Sequence, residues 1–409
     1  AVCGELWVLL GRPQPPAERA EAIAAVRERA WRATDRAALE AMLAEAEALD
    51  WPPLHAAVEY QLGSLLEDQA EYPSAREHAE RAFVEALAAG DDVLAGRSAD
   101  LLVVVLDALD QRDASLGWGQ IGLALTDRLS PPDIDDPLVD DLRAALLWNL
   151  AVTHRHRREF DRALAYNLRA LELVERRDGE DSTRVAQLLG NLGIVYRHLG
   201  DDPQALAHYQ RSLALLERRL GSDHIELAPA LTNMAAIQRR RGEVERALAS
   251  YRRALAIYEA RDPNHPRVAD VLAHIAWVLD GQGRTREALQ LHERVLEIRE
   301  RAFGVDDVRV GEVCVNMGGS HSALGEHAQA LASLARGMAI FEARLEPDDP
   351  RRSIAALDYG RALLAAGETE QAIEQLERAV GLREQYPADP SDLAEARSEL
   401  ARALGSGDP

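Results

Sequence analysis

Cysteine is nearly absent from this sequence, aromatic side chains are scarce, and positive charge is outnumbered. The two cysteines, Cys3 and Cys314, form neither a Cys-x-x-Cys pair nor a framework of bridges, which excludes a disulfide scaffold and a cysteine-based metal or redox motif. Aromatics make up only 5% of the 409 residues, whereas 47% are hydrophobic and Ala and Leu dominate. That balance supplies a large core and suits helices far better than sheets. Lys plus Arg number 47 against 69 Asp plus Glu, a net charge of −22, the wrong sign for coating nucleic acid or an anionic membrane. Long hydrophobic runs are missing as well. Stretches such as Leu101 to Leu106 stop at Asp107, far short of the ~20 residues that a membrane span needs. Leu6 to Leu10 has no basic flank of signal-peptide type. Lacking an initiator Met, the chain reads as a fragment or a processed form, expected in the cytoplasm, or in the periplasm if a membrane anchor precedes it.

What is present is a repeat. Asn-Leu-Gly/Ala is followed by Gly nine residues after the Asn, by Ala-Leu at +14 and by another Ala-Leu at +21. The pattern fits Asn191 (Gly193, Gly200, Ala205, Ser212), Asn233 (Ala235, Gly242, Ala247, Ala254), His274 (Ala276, Gly283, Ala288, Val295), Asn316 (Gly318, Gly325, Ala330) and Asp358 (Gly360, Gly367, Ala372, Ala379). Asn149 fits with Ala151, Ala163 and Ala170, with Arg158 in place of Gly. The anchor spacings are 42, 42, 41, 42 and 42 residues. Two weaker copies precede them, at Gln61 (Gly63, Ala75, Ala82) and Leu101 (Ser115, Leu116, Leu123), and the insertion Ser130 to Pro137 stretches the step to Asn149 to 48 residues. The expected organisation is a helical lead-in over 1–53, two degenerate repeats over 54–140, six long repeats over 141–387, and a capping helix with tail over 388–409.

Apolar residues recur at helical spacing on both sides of each Gly, so each unit reads as two helices with the Gly as a left-handed cap between them. Linkers such as Gly221-Ser222-Asp223-His224, Asp262-Pro263-Asn264-His265-Pro266, Gly304-Val305-Asp306-Asp307 and Pro347-Asp348-Asp349-Pro350 combine breakers with Asp residues suited to capping the next helix. One helix pair cannot bury its apolar face alone, so neighbours must stack into a solenoid with a concave inner surface, the expected working surface. Ala17 to Arg32 and Asp35 to Leu49 read as lead-in helices, Leu393 to Leu404 as the terminal cap, and Gly405 to Pro409 as a loose tail.

The pattern resembles the tetratricopeptide repeat in its long, kinesin-light-chain-like form, whose linker is echoed by Leu220-Gly221-Ser222-Asp223-His224 and Asn264-His265-Pro266. The resemblance covers about Ala56 to Leu404 and is most specific from Asn149 to Val380. It implies an all-α, right-handed α-solenoid of about eight helix-turn-helix repeats. Departures are Arg158 for Gly, His274 and Asp358 for the anchor Asn, and the loss of many consensus aromatics, although Tyr196, Tyr209 and Tyr251 keep them. More narrowly, the layout, with stretches such as Leu54 to Glu67 and Ala86 to Asp92, looks like the C-terminal region of large bacterial Ser/Thr protein kinases. No Gly-rich kinase loop, His-Arg-Asp loop or Asp-Phe-Gly motif occurs in these residues, so the kinase would be a parent chain of which this is the sensory or docking part.

A helical residue advances about 100°. Relative to the anchor, −4, +3, +4 and +7 share its face, while −2 (Leu147, Leu189, Leu231, Leu272) and +1 (Leu150, Leu192, Met234, Ile275, Met317) face the core. The anchors point away from it. By the resemblance, Asn149, Asn191, Asn233 and Asn316 form a ladder that bonds the backbone of an extended peptide, interrupted by His274; an amide offers both donor and acceptor. The alternative is that these Asn bond neighbouring helices. At +7 lie His156, His198 and Arg240, flanked by Arg155, Arg157, Arg158, Arg197, Arg239 and Arg241. This basic stripe predicts an acidic peptide or a terminal carboxylate as partner, unless it only complements helix C-termini. Trp277, at +3, reads either as an aromatic anchor or as a filler between repeats.

Other motifs carry little. Gly117 to Gly122 matches Gly-x-Gly-x-x-Gly but falls in a second helix rather than after a strand. His154 and His156, two apart, cannot share a helical face as metal ligands. The pairs Asp348/Asp349 and Asp135/Asp136 read as solvated linker, and Gly318-Gly319-Ser320-His321-Ser322 lacks a nucleophile-elbow context. The expectation is a non-catalytic scaffold without cofactor or metal, acting on a protein or peptide partner, with a homodimer as a further arrangement.

Overall fold

The computed structural model describes residues 14–130, 136–386 and 390–405. Cys3, Leu6 to Leu10, the centre of the 130–137 insertion with Asp135, and the tail from Ser406 lie outside the described residues. Among those described there are nineteen helices and no strand, an all-α fold of the solenoid class. No helix among them is long and apolar enough to cross a membrane.

The chain divides into two compact units, Ala1–Arg219 and Leu220–Pro409. The first opens with α1 (Ala20–Arg32) and α2 (Arg36–Ala48), the latter capped by Asp35, which accepts from the Ala38 N–H. Antiparallel hairpins follow: α3 (Pro52–Asp68) with α4 (Tyr72–Ala88), α5 (Asp92–Ala108) with α6 (Arg112–Leu129), and α7 (Pro137–His156) with α8 (Phe160–Asp178). Then come α9 (Thr183–His198) and α10 (Asp202–Leu220). The second unit pairs α11 (Leu227–Arg240) with α12 (Val244–Arg261), α13 (Pro266–Gly281) with α14 (Thr285–Phe303), α15 (Val308–Ala323) with α16 (His327–Arg344), and α17 (Pro350–Ala365) with α18 (Thr369–Gln385). It closes with α19 (Pro390–Gly405).

The hairpin turns have one design. At the end of α9, Gly200 takes φ 81°, its N–H reaching the Arg197 carbonyl at 3.2 Å while the Asp201 N–H reaches that of Tyr196 at 2.9 Å. Two orphan carbonyls are thereby satisfied. The turn after α7 makes the same two bonds, from Arg158 to Arg155 and from Glu159 to His154, but the residue at φ 62° is Arg158. An L side chain therefore bears the left-handed conformation there, as Ala70 (φ 59°) and Asp110 (φ 61°) do in the two preceding hairpins, whereas Gly bears it in the later ones.

Linker capping follows the expectation in part. Asp307 and Asp349 accept from the N–H groups of Arg309 and Arg351. At α13, however, the cap is His265, whose ring accepts from the Arg267 N–H, because Asp262 is already turned back onto the Asn264 N–H at 2.9 Å. Glu226, before α11, makes no side-chain cap.

Hairpins close through small residues. A Cβ on Gly193 of α9 would lie 2.5 Å from the ring of Tyr209 on α10, and Tyr209 is 1% exposed. Gly318 and Gly360 stand in the same relation to Leu334 and Leu376. The core positions at −2 are all buried, as are Leu150, Leu192 and Ile275 at +1. Met234 and Met317 are only half-buried, since a flexible thioether accepts a partly wet site. Within the Gly117 to Gly122 run, Gly119 and Gly122 admit Leu150 and Leu146 of α7, so these glycines serve helix packing.

Two stability outcomes follow. Gly193→Ala should cost about 1–3 kcal/mol, because the buried ring has no room to withdraw; an unchanged urea midpoint would contradict the close approach. Arg158→Gly should instead gain about 1 kcal/mol by relieving the left-handed residue, seen as a higher midpoint.

Candidate functional site

In the first unit the anchor Asn149 is half-buried on α7 and donates its amide N–H to Asp100 Oδ1 of α5 at 2.8 Å. Loss of water around Asp100 raises its pKa to about 6, the bond from Asn149 opposing and the Asp141 charge adding to the rise. Asn191 is half-buried on α9. At +7, His156 is exposed and its Nδ1 lies 2.6 Å from Asp107 Oδ2, so this part of the basic stripe meets a carboxylate of the preceding hairpin. Arg157 is likewise shared between Asp113 and Glu159. His198 is exposed and stacks on Phe160, ring centres 4.7 Å apart and planes 3° from parallel.

In the second unit two sequence-predicted residues come together. Asn233 of α11 and His274 of α13 line one open cleft of about 390 Å³, with Thr232, Tyr258, Arg267 and Asp270 on its walls and Arg299 of α14 behind. Arg299 is tied down: it donates to the Arg309 carbonyl at 2.8 Å, to Glu312 at 3.3 Å and to Asp270 at 3.4 Å. Arg267 is exposed at the rim with no carboxylate within 4 Å among the described residues. Burial raises the Tyr258 pKa, with Arg267 opposing. The His274 ring stacks on Tyr251 at 5.4 Å, and loss of water lowers its pKa, Asp270 opposing and Arg239 and Arg299 adding to the fall. The cleft therefore holds hydrogen-bonding groups, one carboxylate, Asp270, engaged by Arg299, and an exposed guanidinium, Arg267, at the rim.

Asn316 on α15 and Arg240 on α11 are exposed. Trp277 is 57% exposed, and the Arg239 guanidinium lies 3.7 Å from its ring centre. It is an outward-facing aromatic plate with one face covered by a cation.

The anchor pattern misses a second polar column. At +6 stand Arg155, Arg197, Arg239 and Asp280, and at +18 stand Asn167, Tyr209, Tyr251 and His292, all four of the latter buried. His292 Nε2 is 3.4 Å from Asp280 Oδ2, which also accepts from Ser320 Oγ at 3.0 Å. Burial lowers the His292 pKa, Asp280 opposing. Aligning the repeats on their anchors reveals the signal: the +18 column is polar or aromatic in four successive units and then turns to Leu334 and Leu376.

A family model described as Tetratricopeptide repeat matches residues 142–218, 185–260, 226–301 and 312–385, more than half of the chain. Among solved structures, the apo form of the quorum sensor NprR from B. thuringiensis aligns with a TM-score of 0.62 at 12% identity, over 88% of this chain and 99% of that one. Aspartyl phosphate phosphatase F from Bacillus subtilis aligns with a TM-score of 0.54 at 14% identity, over 89% and 93%. BtubC (BKLC) from P. vanneervenii aligns with a TM-score of 0.49 at 20% identity, over 56% and 94%. At these identities the likeness to the first two is one of fold. No curated protein matches.

The Asp100–Asn149 contact generates a pH effect. Asp100 holds its proton more tightly in the folded chain than the ordinary 3.8, so its stabilising contribution is present at acid pH and is lost as pH rises through about 6. Asp100→Asn keeps the acceptor for Asn149 and removes the charge. It should raise stability at about pH 7.5 by on the order of 1–3 kcal/mol, a gain that shrinks toward about pH 4. A melting difference independent of pH would contradict the desolvated carboxyl.

Proposed function

The chain belongs to the tetratricopeptide repeat family, and from that premise we propose that it is a non-catalytic scaffold that binds an extended, acidic segment of a partner protein. The anchor residues Asn149, Asn191, Asn233, His274 and Asn316 supply backbone hydrogen bonds in this reading. The fold carries partner binding in this family. It is shared by a quorum sensor and a phosphatase, so the choice of ligand rests with the site.

The observation that carries the reading is the cleft of the second unit. Asn233 offers donor and acceptor for a visiting backbone, Arg267 is a free fork for a carboxylate at the rim, and His274 and Tyr258 add polar contacts, while the one carboxylate of the cleft, Asp270, is engaged by Arg299. Trp277 supports an adjoining contact for an apolar side chain. In the first unit, Asn149 retains its carbonyl oxygen and one amide hydrogen beyond the Asp100 bond. His156, His198 and Arg240 add charge selection at the ends of their helices.

An array of extended peptides, acidic, neutral and basic, each as free acid and as amide, tests the proposal on the full chain. Acidic peptides should be retained preferentially. Asn191→Ala with Asn233→Ala should weaken them about tenfold, as expected for two lost hydrogen bonds, and Arg267→Ala should erase the preference for acid over amide. Undiminished binding by the double variant with an unchanged helical spectrum rejects the site.

A further inference from the structure

Many arginines in the first unit hold a carboxylate, among them Arg157, Arg162, Arg177, Arg184 and Arg211. Arg155 near the end of α7 and Arg197 near the end of α9 do not. They occupy the same +6 position one repeat apart, both half-buried, and neither has a carboxylate within 4 Å among the described residues. Each meets the imidazole that follows it: Arg155 Nη2 lies 3.2 Å from His156 Nε2, and Arg197 Nη2 lies 3.3 Å from His198 Nε2. With His156 Nδ1 on Asp107, its Nε2 is the acceptor that orients the Arg155 fork. The stack on Phe160 orients the His198 ring in the same way.

From this juxtaposition we propose that Arg155 and Arg197, aimed by His156 and His198, form an oxyanion site for a phosphorylated side chain of a partner protein. Two half-buried guanidiniums with no carboxylate in ion-pair contact are costly in an otherwise acidic, ion-paired surface, and an arriving anion lowers that cost. Burial and the repulsion of Arg197 both push the Arg155 pKa down, with Asp107 and Tyr209 opposing. Complementing the helix dipole accounts for basic residues in a last turn, but it would leave them in water or on a neighbouring carboxylate, as with Arg157. A carboxylate has two oxygens and satisfies one fork. A phosphomonoester carries about −1.5 to −2 charge and three acceptor oxygens, and so can engage two forks at once. This inference rests on the scaffold reading only in taking the ligand from a partner protein; its residues lie outside the cleft of the second unit.

The test is an array of degenerate peptides with a central Ser, phosphoserine or Glu, probed with the full chain, with inorganic phosphate as competitor. The phosphoserine series should bind about tenfold or more tighter than the Glu series and be displaced by phosphate. Arg155→Gln with Arg197→Gln should abolish that preference, whereas Asn233→Ala should leave it intact while weakening acidic peptides. That pattern separates failure of this site from failure of the cleft. Equal binding of the phosphoserine and Glu series, or an undiminished preference in the glutamine pair, overturns the proposal. Should the glutamine pair fail to fold, Arg155→Lys with Arg197→Lys decides: an undiminished preference there overturns the two-fork site, since lysine keeps the charge and loses the planar fork.

Discussion

The close approach of two helices within each hairpin is the constraint on which the rest depends. It is made by a residue without a side chain, or with only a methyl group, facing a large one. Gly193 lies against the buried ring of Tyr209, and Gly318 and Gly360 lie against Leu334 and Leu376. With the helices that close, the second helix of each pair fills the core and the anchor residue of the first is turned outward. Asn233 and His274 reach one cleft because both sit on first helices at the same register.

Beneath this surface runs the polar column that links first and second helices. Where the column is Arg and Tyr, as with Arg239 and Tyr251, the cation acts on the buried phenol and also lies over an aromatic face, that of Trp277. Where it is Asp and His, as with Asp280 and His292, charge and ring satisfy each other and Ser320. The same structural position thus either exports a cation to the surface or seals a buried pair. Arg155 and Arg197 occupy the same +6 position as Arg239.

Much of this was legible in residue order. The anchor period, the Gly at +9 and the small residue at +2 locate hairpins and turns, because helix termination and close packing are local requirements with few chemical solutions. Capping was less legible: His265 replaces an Asp because Asp262 spends its oxygen on a nearer N–H, a competition that spacing alone does not rank. The outward face of Asn149 could be read from its register, but not its bond to Asp100, a residue in a repeat whose anchor has become Leu101. The basic stripe was visible as a list of residues. That Asp107 takes His156 while Arg155 keeps no carboxylate could not be, since the pairing depends on how successive hairpins stack.

Sequence by itself determined that this chain is helical, repetitive and turned by left-handed caps, since each of these rests on interactions within about four residues or on a period visible along the chain. Only tertiary structure decided which polar groups are spent internally and which remain to meet a partner. Hydrogen bonds and ion pairs between repeats are set by distances of a few ångströms between residues far apart in the chain, 49 positions for Asn149 and Asp100, and no local rule carries that information.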